Sequence, residues 1–97
     1  MTYNGWVNYP TWAVHLWISN EEALWDDAMA VARDFSGGAI WRGEDALRNW
    51  VLDELVPDLS GSMAGDIMTW AMEQVDWGEV YAAVMEAVEE EDDDEAE

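Results

Sequence analysis

The stretch Asn8-Tyr9-Pro10-Thr11-Trp12-Ala13-Val14-His15-Leu16-Trp17-Ile18-Ser19-Asn20-Glu21-Glu22 decides the fold class. Asn8 or Tyr9 can cap a helix, and Pro10 suits a first turn, where a backbone N–H lacks an intrahelical partner in any case. At ~100° per residue, Trp12, Ala13, Val14, Leu16, Trp17 and Ile18 cover most of the circumference and leave Thr11, His15 and Ser19 as a polar stripe. Such a helix is expected at or near the centre of a bundle. Ser19 followed three residues later by Glu22 has the pattern of a capping box, which predicts a second helix opening at once.

Upstream, Asn4-Gly5 is a turn dipeptide that should tuck Trp6 and Val7 onto the body. Downstream, the second helix is expected to bury Leu24, Trp25, Ala28, Val31, Ala32 and Phe35, and to show Glu22, Asp26, Asp27, Arg33 and Asp34 to solvent. Ser36-Gly37-Gly38 ends it. The connector to Gly43 carries Ile40 and Trp41, which are too apolar to stand free in water and are expected to dock. A third helix, about Glu44 to Val56, turns Ala46, Leu47, Trp50, Val51 and Leu55 inward and Asp45, Asn49 and Asp53 outward, and stops before Pro57. After the loop Ser60-Gly61-Ser62, a fourth is predicted with Met63, Ile67, Trp70, Ala71 and Gln74 inward against Asp66, Thr69 and Glu73. Asp76 and Glu79 form another capping-box-like pair. The last helix places Trp77, Val80, Tyr81, Val84 and Val88 inward and Glu79, Glu86 and Glu90 outward. The expectation is an all-α protein: a compact bundle of about five short helices in one acidic domain, residues 1–88, followed by a disordered acidic tail, residues 89–97.

Charge is the second constraint. The 97 residues carry 23 carboxylates against three arginines and no lysine, a net charge of -20, yet 51% are hydrophobic and eight are tryptophan. Disordered acidic segments are poor in apolar residues because they cannot offset chain entropy by burial, so residues up to Val88 should fold. The tail accounts for eight of the carboxylates, and fifteen remain on residues 1–88 against the three arginines. Lysine and arginine are scarce together, so positive charge itself is excluded. Net charge this far from zero works against compactness, and something must favour keeping it.

Several function classes are poorly served. Without cysteine there is no disulfide framework, thiol nucleophile or zinc ribbon. No apolar run approaches the ~20 residues of a membrane span, and the first residues lack the charged segment of a signal peptide. A cytoplasmic protein with no membrane association is expected. A nucleophile would have to be a serine partnered by His15, the one histidine, with an aspartate orienting it. His15 instead reads as a hydrogen-bonded residue at the rim of the core. No catalytic residue, metal ligand set or cofactor is expected, and the chain is not read as an enzyme. Direct nucleic-acid binding is opposed by the sign of the charge.

The informative constellation is the outward acids Glu22, Asp26, Asp27, Asp34, Asp45, Asp53, Asp66, Glu73, Glu79 and Glu86. Two carboxylates per helical turn would give about one charge per 2.7 Å, against one per ~1.7 Å for duplex DNA. A rigid helical body can thereby imitate a nucleic-acid charge track and attract a protein with a basic channel. Most tryptophans fall on apolar stripes and read as core. Trp6 and Trp41 lie in connectors and are candidate aromatic anchors. Glu54 projects into an apolar stripe, either merely at the frayed end of its helix or paired with Arg42 or Arg48. The expected partner is a basic nucleic-acid-binding protein of a host defence system, blocked in the manner of anti-CRISPR or anti-restriction DNA mimics. The acting form is a monomer or a homodimer. The alternative is a halophile-adapted acidic accessory protein or protein-interaction module of a phage or plasmid.

The segment Asn4-Gly5-Trp6-x-Asn8-Tyr9-x-Thr11-Trp12-x-Val14-x-Leu16-Trp17-Ile18-x-Asn20-Glu21, with the later Val75-Asp76-Trp77-x-Glu79, resembles a small acidic domain family of unknown function recurrent in phages, plasmids and haloarchaeal genomes. Pro10 departs from the acidic residue expected between Tyr9 and Thr11. The resemblance implies a mobile-element context and carries over no catalytic residue.

Overall fold

Asn8 caps the first helix. Its Oδ1 accepts the Thr11 amide at 3.0 Å and the Thr11 hydroxyl at 2.7 Å, and Pro10 occupies the first turn. In the computed structural model, which describes residues 3–95 and side-chain surroundings through residue 91, α1 spans Tyr9–Asn20, α2 Glu22–Asp34, α3 Ile40–Trp50, α4 Met63–Gln74 and α5 Trp77–Glu95. The protein is all-α. Among the described residues the only extended pairing is an isolated bridge between Tyr3 and Trp6. It closes a tight turn in which Asn4 (φ 49°) and Gly5 (φ 89°) are both left-handed, the conformation that an Asn-Gly pair adopts at least cost.

The core gathers around α2 and α5. Val80, Tyr81, Val84 and Val88 of α5 pack with Ala28, Met29 and Ala32 of α2, Leu47 of α3, Val51 just after it, and Val14 and Ile18 of α1. The first helix is therefore a flank of the core, not its centre. It buries Thr11, Val14 and Ile18 and leaves Trp17 exposed. A helix apolar on nearly all sides carries no directional signal of its own. Thr11 could be buried, against expectation, because both hydrogen-bonding capacities of its hydroxyl are met inside.

Three local differences have physical causes. The junction between α1 and α2 is Glu21 alone, with no side-chain cap, and Ser19 Oγ donates to the Leu16 carbonyl instead of forming a capping box. The third helix begins at Ile40, not Glu44. Gly43 lies within that extra turn, buried, where a Cβ would overlap the Tyr81 ring, so the lack of a side chain lets α3 and α5 approach. The helix then widens into a π turn, Val51–Leu55, closed by Val56 N–H to the Val51 carbonyl at 3.2 Å, and ends before Pro57 as predicted.

Among the described residues, Val88 is the last that is buried. The helical backbone continues beyond it through Glu95, into the segment expected as a disordered tail, and residues 96–97 lie outside the described residues. Extending an existing helix needs no new nucleus. An ion pair of 3.0 Å between Arg33 of α2 and Glu91 ties the start of this extension to the body. Among the described residues no helix is long and apolar enough to cross a membrane.

Candidate functional site

The two signature segments of the sequence lie against each other. The Asp76 amide donates to Thr11 Oγ1 at 2.9 Å, and Asn8 Nδ2 donates to the Gln74 carbonyl at 2.7 Å. The Val7 amide donates to Glu79 Oε1 at 3.0 Å. Asp76 caps α5 as predicted, its Oδ1 accepting the Glu79 amide at 3.1 Å. The reciprocal half of the capping box is replaced by tertiary partners: Thr11 takes the Asp76 amide, and the Glu79 carboxylate holds the N-terminal turn. The result is a latch between the start of α1 and the α4–α5 junction, with its polar groups engaged in structure.

Beside the latch, His15 is half-buried with its ring 4.4 Å from that of Trp6 and 5.7 Å from that of Trp25. Burial lowers its pKa from the ordinary value, since desolvation disfavours the imidazolium. Aromatic rings, not the expected rim of polar partners, surround it. Trp6 is thereby half-buried as a lid on His15, while Trp41 is 59% exposed with the Arg42 guanidinium 5.4 Å from its ring centre. Ile40, expected to dock, is exposed at the head of α3. No group of three or more His, Asp or Glu side chains is placed to hold a metal ion among the described residues.

The acids fall where charge must fall, on the outside. Glu22, Asp26, Asp27 and Asp34 are exposed on α2, Asp45 on α3, Asp53 in the π turn, Asp66 and Glu73 on α4, and Glu86 on α5. Glu79 is half-buried and committed to the latch. Asp58, in the connector before α4, has its pKa lowered by the hydroxyl and amide of Ser60. Among the described residues Arg33, rather than Arg42 or Arg48, makes an ion pair to an acid, and Glu54 is exposed.

Sequence reasoning missed an apolar surface. Met63, Ile67 and Trp70 of α4, expected inward, are 78%, 58% and 60% exposed. The opposite edge of the helix, Gly65, Met68, Ala71 and Met72, is the half-buried one. A Cβ on Gly65 would overlap the Leu59 carbonyl oxygen, and this close approach turns that edge inward. Two apolar edges on one helix compete for the core, and the sequence signal for the choice is the single glycine.

A family model described as a family of unknown function (DUF7249) matches residues 1–94. The chain belongs to the DUF7249 family. The match takes in both signature segments, so the latch lies wholly inside the DUF7249 domain. No curated protein and no solved structure matches the chain.

Proposed function

We propose that this DUF7249 protein is a non-enzymatic inhibitor carried by a mobile genetic element, acting in the host cytoplasm. It binds a basic nucleic-acid-binding protein of a host defence complex, of the CRISPR or restriction kind, through an acidic surface that imitates DNA. The observation that carries this reading is the exposure of nine of the ten candidate acids on the bundle's helices and π turn, where no lysine competes for them. Fixed charges on a folded body cost no ordering at the moment of binding, which separates this surface from a flexible acidic tail. The latch supports the reading from the other side, because Asn8, Thr11, Asp76 and Glu79 of the signature segments are occupied in holding the fold.

One observation favours a second reading. The exposed acids are spread over α2, α3, the π turn, α4 and α5 rather than gathered on one track, as solubility adaptation to a salt-rich cytoplasm would place them. The two readings separate in a single experiment. A mimic folds in ordinary buffer, captures a basic nucleic-acid-binding protein from host extract, loses it as salt rises, and is displaced by duplex DNA. A protein that folds only towards molar salt, with no partner that DNA displaces, would falsify mimicry.

A further inference from the structure

Helix α4 holds no buried residue, although it is well begun: Ser62 Oγ accepts the Gly65 amide at 2.9 Å. Its outward face is ordered in sequence. Met63, Ile67, Trp70 and Gln74 follow one another at spacings of four, three and four, the d-a-d-a positions of a heptad seam, and all are exposed. The positions flanking this seam are not alike. Asp66 and Glu73 fall at successive g positions, and Ala64 and Ala71 at successive e positions. One side of the seam is acidic and the other is small and neutral.

We infer that the α4 seam docks an amphipathic helix of a partner protein whose positions facing Asp66 and Glu73 carry lysine or arginine. Charge complementarity selects this occupant. In a parallel pairing with a second copy, Asp66 would face Ala71 and Glu73 a position past the end of α4, and neither would gain an ion pair. In an antiparallel pairing they would face their own counterparts, between two bodies each carrying a net charge of -20. A helix with basic flanks gains attraction at both acids while covering the apolar residues. Trp70 is of the residue type that most often anchors such contacts. The inference rests on the proposed function for the sign of the partner's charge and adds an apolar anchor to it.

Besides a glutamine-flanked control, the test uses the full chain and two synthetic peptides of identical Leu/Lys composition. One has leucine at a and d with lysine at e and g, and the other is a scramble with no seam. The patterned peptide should bind at least about tenfold more tightly than the scramble. Ile67→Ser with Trp70→Ser should bring it down to the affinity of the scramble, whose own binding stays unchanged. Ile67→Ser alone is the gentler variant, and retained helical signal certifies both. Ile40→Ser with Trp41→Ser, at another exposed apolar site, should keep the preference. Asp66→Asn with Glu73→Gln should reduce the advantage of a lysine-flanked over a glutamine-flanked patterned peptide.

Equal binding of pattern and scramble, or a preference that survives Ile67→Ser/Trp70→Ser or is lost in Ile40→Ser/Trp41→Ser, overturns the seam while leaving the acidic surface standing. A stable dimer in sedimentation that the Ile67/Trp70 variant dissociates assigns the seam to a second copy and overturns it as well. Failure of both peptides to bind at low salt removes the acidic-surface reading and the seam with it.

Discussion

Thr11 and Asp76, 65 positions apart, are joined by a 2.9 Å hydrogen bond in which the backbone amide opening α5 donates to a fully buried hydroxyl at the start of α1. The same hydroxyl donates to Asn8, so one side chain serves the beginnings of two helices. Thr11→Val keeps the shape and removes both bonds, leaving the Asp76 amide without its partner. A loss of about 1–3 kcal/mol follows, and at about 4–8 °C per kcal/mol for a domain of this size the melting temperature should fall by about 5 °C or more. Thr11→Ser should lose less, because the hydroxyl remains. A valine variant melting with the wild type would show that the latch contributes nothing.

Gly43→Ala sets helix propensity against packing. In an open helix the change gains about 1 kcal/mol. Here the added methyl meets the Tyr81 ring, and overpacking of about 1–3 kcal/mol should make the variant less stable in denaturant titration. Gly37→Ala, where a Cβ meets nothing within 4 Å, should stay within about 0.5 kcal/mol of wild type. Tyr81→Phe should not rescue Gly43→Ala, since the ring carbons remain in the way. A stabilised Gly43→Ala protein would contradict the close approach of α3 and α5.

His15 should make stability depend on pH. Its folded pKa lies below the unfolded value of 6.5 because burial disfavours the charged ring. The native state therefore binds fewer protons, and the contribution is complete above that value and is lost as pH falls beneath it towards the folded pKa. The melting-temperature difference between wild type and His15→Gln should shift against the wild type between about pH 7.5 and 5.5. Taking the difference removes the carboxylates common to both proteins. His15→Ala should leave partner binding nearly intact apart from stability, and loss of activity at unchanged melting temperature would overturn the non-enzymatic reading.

Neutralising α2 should separate binding from stability. Glu22 and Asp26 stand one turn apart as like charges, an arrangement that costs a helix about 0.2–0.5 kcal/mol, and Asp27 and Asp34 extend the same exposed surface. Asp26→Asn with Asp27→Asn and Asp34→Asn should raise the melting temperature at low salt while weakening capture of the basic partner. The gain should shrink towards molar salt as screening shortens the range of repulsion below its ~8 Å at physiological ionic strength. An unchanged affinity would move the contact away from α2.

Much of the bundle was legible in the sequence. Asn8, Pro10, Asp76 and Pro57 mark helix limits by local backbone chemistry, which needs no knowledge of distant residues. The exposure of Asp26, Asp45 or Glu86 was legible for the same reason, since a carboxylate without a partner cannot be buried. Direction was harder. Thr11 looks polar and outward until its partners are known, and those lie at Asn8 and, far along the chain, at Asp76. Trp17, Met63, Ile67 and Trp70 look like core because apolar periodicity reports which residues share a face, not which of two faces the rest of the molecule covers. Phe35, predicted buried, is partly exposed at the end of α2. The start of α3 was hidden by Gly43, which reads as a helix breaker where close packing against Tyr81 makes it an asset.

The latch also sets an order of events during synthesis. Asn8 and Thr11 leave the ribosome 66 and 65 residues before their partners Gln74 and Asp76, and Val7 leaves it 72 residues before the Glu79 that receives it. Until then the opening turn has nothing to close upon, and the nascent helix α1 carries its exposed tryptophans without the elements that cover its inner side. Completion of the fold thus waits on a segment made 65 residues after Thr11, and a chain cut short before residue 74 lacks the means to close its opening turn.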